Sequence, residues 1–73
     1  MAAITTSKKI MIRDFYNDMM KLCEKYWVPS TTNAYWDALT DDAMMLIAKY
    51  QTVDDATNAL VMNTVAAFLN SRE

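Results

Sequence analysis

Not one of the 73 residues is glycine, and Pro29 is the single proline. Tight β-hairpin corners need backbone at positive φ, which glycine supplies at least steric cost. A chain without glycine is therefore poorly suited to a turn-rich sheet. No stretch alternates apolar and polar residues for long, whereas helical periodicity runs almost throughout. The expected fold class is all-α.

Three helices can be placed. The first is expected over about 7–27, N-capped by Ser7. Its apolar arc of about 160° holds, in angular order, Leu22, Phe15, Tyr26, Met19, Ile12, Cys23, Tyr16, Trp27 and Met20. Pro29 stops it, because a residue before proline is pushed out of helical geometry. The "STT" at 30–32 offers N-caps for a second helix over about 33–51. Its inward arc holds Tyr35, Trp36, Leu39, Ala43, Met44, Leu46, Ile47 and Tyr50, and Met45 stands out on its polar face. "TVDD" at 52–55 restarts the chain, with a Thr52/Asp55 capping box or Asp54 as N-cap, for a third helix over about 54–71. Two short connections make neighbouring helices antiparallel. The expected architecture is an up-down-up three-helix bundle spanning 7–73 as one domain, with residues 1–6 as a disordered tail.

A chain this short is near the lower limit for a self-sufficient core. Cys23 is the only cysteine and there is no histidine, so neither an internal disulfide nor a Cys/His zinc site is available. Hydrophobic residues make up 53% of the chain, which favours burial beyond one monomer. The net charge is −2, and only Lys8, Lys9 and Arg13 cluster, which disfavours nucleic acid as a partner. "MAAITTSKKIMIR" lacks the apolar run of a secretory signal, and no stretch is long and apolar enough for a membrane span. With one thiol and no export signal, the expected location is cytoplasmic.

Candidate chemistry is thin. Cys23 has no histidine to activate it and reads as a packed core thiol. Asp37, Asp41, Asp42, Asp54 and Asp55 sit on solvated faces and helix starts, where carboxylates suit the helix dipole better than they build a cation cage. No glycine-rich loop exists to cradle a phosphate. No cofactor, metal or small-molecule substrate is indicated, and the chain reads as a non-enzyme. The aromatic pairs Tyr26-Trp27 and Tyr35-Trp36 are expected to close the bundle end beside Pro29.

One pattern is doubled. "NDMMKLCEKYW" at 17–27 and "DDAMMLIAKYQ" at 41–51 align at an offset of 24 positions, matching Asp18 with Asp42, Leu22 with Leu46, Lys25 with Lys49 and Tyr26 with Tyr50. The expectation is two amphipathic helices meeting one packing requirement, with the aspartates and lysines on outer faces. Lys21 and Met45 are the mismatched pair.

The third helix differs in kind. The sixteen residues from Ala56 to Ser71 carry no charge, and their apolar side chains cover more than one face. A face with Val61, Met62, Val65 and Leu69 is expected to stay exposed and, with Met45, to form an interface. Self-association as a homodimer is the simplest use for it, with another protein as the next partner.

The stretches "AYWDALTDDAMMLIAKY" and "NALVMNTVAAFLN" resemble a diffuse group of short, uncharacterised helical proteins in genomes and prophages of Gram-positive gut bacteria. The residues that carry the likeness are Phe15, Pro29, Trp36, Asp37, Leu39, Ala43, Leu46, Lys49, Tyr50, Leu60, Val65 and Leu69. The resemblance implies a phage or mobile-element context and no particular activity. The expected function is a non-catalytic protein-interaction module. The alternative is a small helical nucleic-acid-binding regulator that reads with its third helix.

Overall fold

A computed structural model describes residues 4–73. It contains three helices, α1 (Thr6–Lys25), α2 (Asn33–Lys49) and α3 (Asp55–Arg72). Side-chain contacts fix their directions. Lys8 at the start of α1 reaches Asp54 at the start of α3, and Arg72 at the end of α3 reaches the Trp27 carbonyl just past α1, so α1 and α3 run parallel. Asp18 pairs with Lys49 and Asp42 with Lys25, so α2 runs antiparallel to α1. The up-down-up bundle follows.

Each helix start is capped by a side chain. Thr5 accepts from the Lys8 amide, Thr32 from the Tyr35 amide and Asp54 from the Ala56 amide. Thr5 takes the place of the expected Ser7, two positions earlier, and the helix begins at Thr6. The expected tail over 1–6 therefore ends too late at Thr5 and Thr6, while its first three residues lie outside the described part. No Thr52/Asp55 capping box forms. Instead Thr52 accepts from the Asp54 amide, and its own N–H and C=O pair with the Asn58 side chain at 2.9 and 2.7 Å.

Helix ends show how the fold manages without glycine. No described residue has positive φ, so a left-handed C-terminal turn is not used. α1 stops at Lys25, two residues before the expected end. The Tyr35 hydroxyl donates to the Tyr26 carbonyl at 2.7 Å, and Arg72 donates to the Trp27 carbonyl while stacking over the Trp27 and Phe68 rings. Side chains from α2 and α3 thus satisfy carbonyls that a helix end would otherwise leave without partners.

The core runs along one stripe per helix. It comprises Phe15, Met19, Leu22 and Tyr26 from α1, Leu39, Ala43 and Leu46 with Tyr50 from α2, and Val61, Val65 and Phe68 from α3. Thr57 is the one buried polar residue among those described, and its hydroxyl donates to Asp54 and accepts from Lys8. The stripes are narrower than the wheels suggested. Tyr16, Met20, Trp27 and Met44 are exposed, and Cys23 is half-buried.

The largest correction concerns α3. Val61 and Val65 are core residues, Val65 with no exposed surface at all, and Leu69 is half-buried against the core. Thr57, Val61, Val65 and Phe68 form the inward stripe, and the two ends of α3 contact α1 through Lys8 and Arg72. The side left outward carries Leu60 on one flank and Met62 on the other. Of the five expected interface residues, Met45 and Met62 are exposed, and Val61 and Val65 are unavailable to a partner in the folded chain. No helix of the described residues is long and apolar enough to cross a membrane.

Candidate functional site

The doubled sequence becomes a reciprocal contact. Asp18 on α1 accepts from Lys49 Nζ at 2.7 Å and from the Tyr50 hydroxyl at 2.5 Å. Asp42 on α2 accepts from Lys25 Nζ at 3.0 Å and from the Tyr26 hydroxyl at 2.5 Å. Each lysine ammonium also lies 5.2 to 5.4 Å from the ring centroid of the tyrosine beside it. Each helix carries an aspartate followed seven and eight residues later by Lys-Tyr. Seven residues are close to two helical turns, so aspartate and lysine share one flank. When two such helices lie antiparallel, each aspartate meets the other helix's Lys-Tyr. The hairpin of α1 and α2 thereby acquires a local pseudo-two-fold symmetry.

This corrects the placement of Asp18 and Asp42 on outer faces, whereas Lys25 and Lys49 are exposed as expected. The two carboxylates are half-buried and directed at the neighbouring helix, while the lysines cover them from solvent. The repeat was visible in the sequence. What was missed is that an antiparallel partner turns the same spacing into a cross-helix pair.

The electrostatics follow from these contacts. Hydrogen bonding by Lys49 and then Tyr50 holds the Asp18 carboxyl below the usual range, and Tyr26 and then Lys25 do the same for Asp42. The partners move the other way. The bond to Asp42, then burial, raises the Tyr26 phenol, whereas burial leads for Tyr50, followed by its bond to Asp18. Lys25 and Lys49 are raised chiefly by their aspartates. A raised phenol is a poorer acid than free tyrosine at neutral pH.

Between the two clasps lies an open groove of about 370 Å³, lined by Asp18, Lys21, Leu22, Lys25 and their counterparts Asp42, Met45, Leu46 and Lys49. The lining is four pairs of the repeat. Leu22 and Leu46 form its floor, and Lys21 and Met45 are the one pair that differs in chemistry.

A second groove, of about 450 Å³, separates α1 from α3 and is lined by Tyr16, Met19, Met20, Cys23, Thr64 and Phe68. None of these is charged. Burial pushes the Cys23 thiol up, away from thiolate formation. A smaller cleft of about 150 Å³ between α2 and α3 holds Met62 beside Ile47 and Asn58. Among the described residues, no three His, Cys, Asp or Glu side chains stand close enough to share a metal ion. No buried side-chain nitrogen or oxygen among them lacks a hydrogen-bond partner.

No family model matches the chain, and neither the curated proteins nor the solved structures contain a match to it.

Proposed function

We propose that this chain is a non-catalytic helical protein-binding module that self-associates through the exposed side of α3 and the adjoining flank of α1. The observation that carries this reading is the uncharged groove between those helices. Met20 is 63% exposed there and Tyr16 48%, and on the neighbouring turns of α3 Leu60 is 37% exposed. Contiguous apolar surface of this kind on so small a chain favours an interface, and a two-fold pair is the commonest way for one chain to cover it. The run Ala56–Ser71 adds no charge that a second copy would have to desolvate.

This reading keeps α3 as the interface but moves its contact surface. Leu60 and Met20 replace Val61 and Val65, and Met62 lies on the opposite flank of α3. A reducing, cytoplasmic setting suits the lone thiol, and a phage-derived accessory role rests on the sequence resemblance. The nucleic-acid alternative finds little support. Of the seven Lys and Arg residues, only Arg72 lies on α3, and it is engaged with Trp27. The other six cations lie on α1 and α2, whereas a reading helix needs them on its own outer face.

The experiment is sedimentation equilibrium at tens of micromolar. The wild type is expected to approach twice the monomer mass, and Met20→Glu or Leu60→Glu to return it to one mass with an unchanged helical circular dichroism spectrum. A strict monomer at those concentrations would refute self-association.

A further inference from the structure

The groove between α1 and α2 is a different surface from the one proposed for self-association, and its chemistry suits a different occupant. We propose that it docks an acidic amphipathic helix of a partner protein, with apolar anchors over Leu22 and Leu46 and carboxylates on Lys21, Lys25 and Lys49.

Three features carry this. The first is which charges remain available. Asp18 and Asp42 each already accept from one tyrosine and one lysine within the chain. An ammonium has three N–H donors, and Lys25 and Lys49 each give one to a carboxylate, leaving two apiece. Lys21 forms no ion pair among the described residues. Three lysines and two aspartates line the groove, so its lining carries a net charge of +1, with Lys21 the unpaired cation, on a chain whose net charge is −2. An acidic partner meets these lysines with opposite charge.

The second is spacing. The two clasps are set by residues seven apart on each helix, which is about 10 Å at the α-helical rise. Two turns of a partner helix span the same length. Acidic residues seven positions apart can then reach Lys25 at one end and Lys49 at the other, and apolar residues between them fall over the leucine floor. This is the helix-in-groove mode of recognition.

The third is the asymmetry. Met45 is 70% exposed and unbranched, and so can adjust to an incoming apolar side chain. Lys21 stands in the equivalent place across the groove. The mismatch breaks the pseudo-two-fold symmetry and gives the groove a charged rim and an apolar rim. Between carboxylates on Lys25 and Lys49, a bound helix can thereby place a third carboxylate on Lys21 and an apolar side chain on Met45.

The proposal extends protein binding to a second face and does not depend on self-association through α3. Its test uses the full chain with labelled methionine methyl groups and three short synthetic helical peptides. One carries Glu-x-x-Leu-Leu-x-x-Glu on a single face, one has Lys in place of Glu, and one has Ala in place of Leu. The acidic peptide is expected to shift the Met45 methyl signal saturably and leave Met20 unmoved. Lys21→Glu, an exposed change, should weaken binding by about tenfold or more. The proposal fails if the Lys peptide binds as well, if the Ala peptide binds as well (a polyanion effect only), if shifts fall on Met20 instead, or if none occurs up to about millimolar peptide. Loss of self-association in Leu60→Glu should leave this binding intact, so the two readings fail separately.

Discussion

Removing the hydroxyl from each clasp tests whether the doubled motif holds α1 to α2. Tyr26 and Tyr50 are both buried at 5% exposure, and each donates to a carboxylate that its neighbouring lysine also contacts. Tyr→Phe keeps the ring and deletes one charge-assisted hydrogen bond. Such bonds contribute about 1.5–3 kcal/mol to stability, and the lower end applies because water reaches the aspartates. We expect Tyr26→Phe and Tyr50→Phe each to cost about 1.5 kcal/mol. The clasps lie about 10 Å apart along the helices, far enough for the double variant to lose nearly the sum, about 3 kcal/mol. Urea unfolding followed by circular dichroism, with Trp27 and Trp36 fluorescence as a second probe, measures this at constant m-value. Tyr16→Phe is the control, since Tyr16 is exposed, and should change stability by under about 0.5 kcal/mol. If both clasp variants match the control, or if one costs several times the other, the reciprocal account is wrong.

Stability should form a plateau with two linked edges. Asp18, Asp42 and Asp54 have folded pKa values below their unfolded ones, so their contribution is present above about pH 4 and is lost as pH falls through the folded values. Tyr26, Tyr50, Lys25 and Lys49 are raised, so theirs is present below about pH 10 and is lost as pH rises through the folded values. Thermal melts across pH should locate both edges, and the double Tyr→Phe variant should lose part of the alkaline one. Val65→Glu should abolish the cooperative melt by placing an unpaired carboxylate in the core, whereas Leu60→Glu should keep it. Cys23 should react with iodoacetamide at neutral pH more slowly than a free thiol, and at the free-thiol rate once urea unfolds the chain.

The sequence carried the class of fold well, because absent glycine and uninterrupted helical periodicity point the same way. The ends of α1 were legible from Pro29 to within two residues. The missing two are set by tertiary contacts, Tyr35 on the Tyr26 carbonyl and Arg72 on that of Trp27, which no local pattern encodes. The inward stripe of α3 was not legible. Leu60, Val61, Met62, Val65, Phe68 and Leu69 cover an arc of about 200°, wider than the stripe that packs inward, so the wheel does not mark which part of it is covered. Met45 was legible because it interrupts a polar face, and it is exposed. The clasps were half-legible: a repeat at an offset of 24 was plain, but its meaning requires knowing that the two copies lie antiparallel and in contact.

A dilution series of methionine methyl spectra tests the binding-module account most directly. Met19 and Met20 are adjacent in sequence, yet Met19 is 6% exposed in the core and Met20 is 63% exposed in the α1–α3 groove. If the chain self-associates there, the Met20 signal moves with concentration in step with the mass in solution, while Met45, in the α1–α2 groove, stays fixed. Signals that remain unchanged from a few micromolar to about a millimolar, or a Met45 signal that moves in place of Met20, would contradict it.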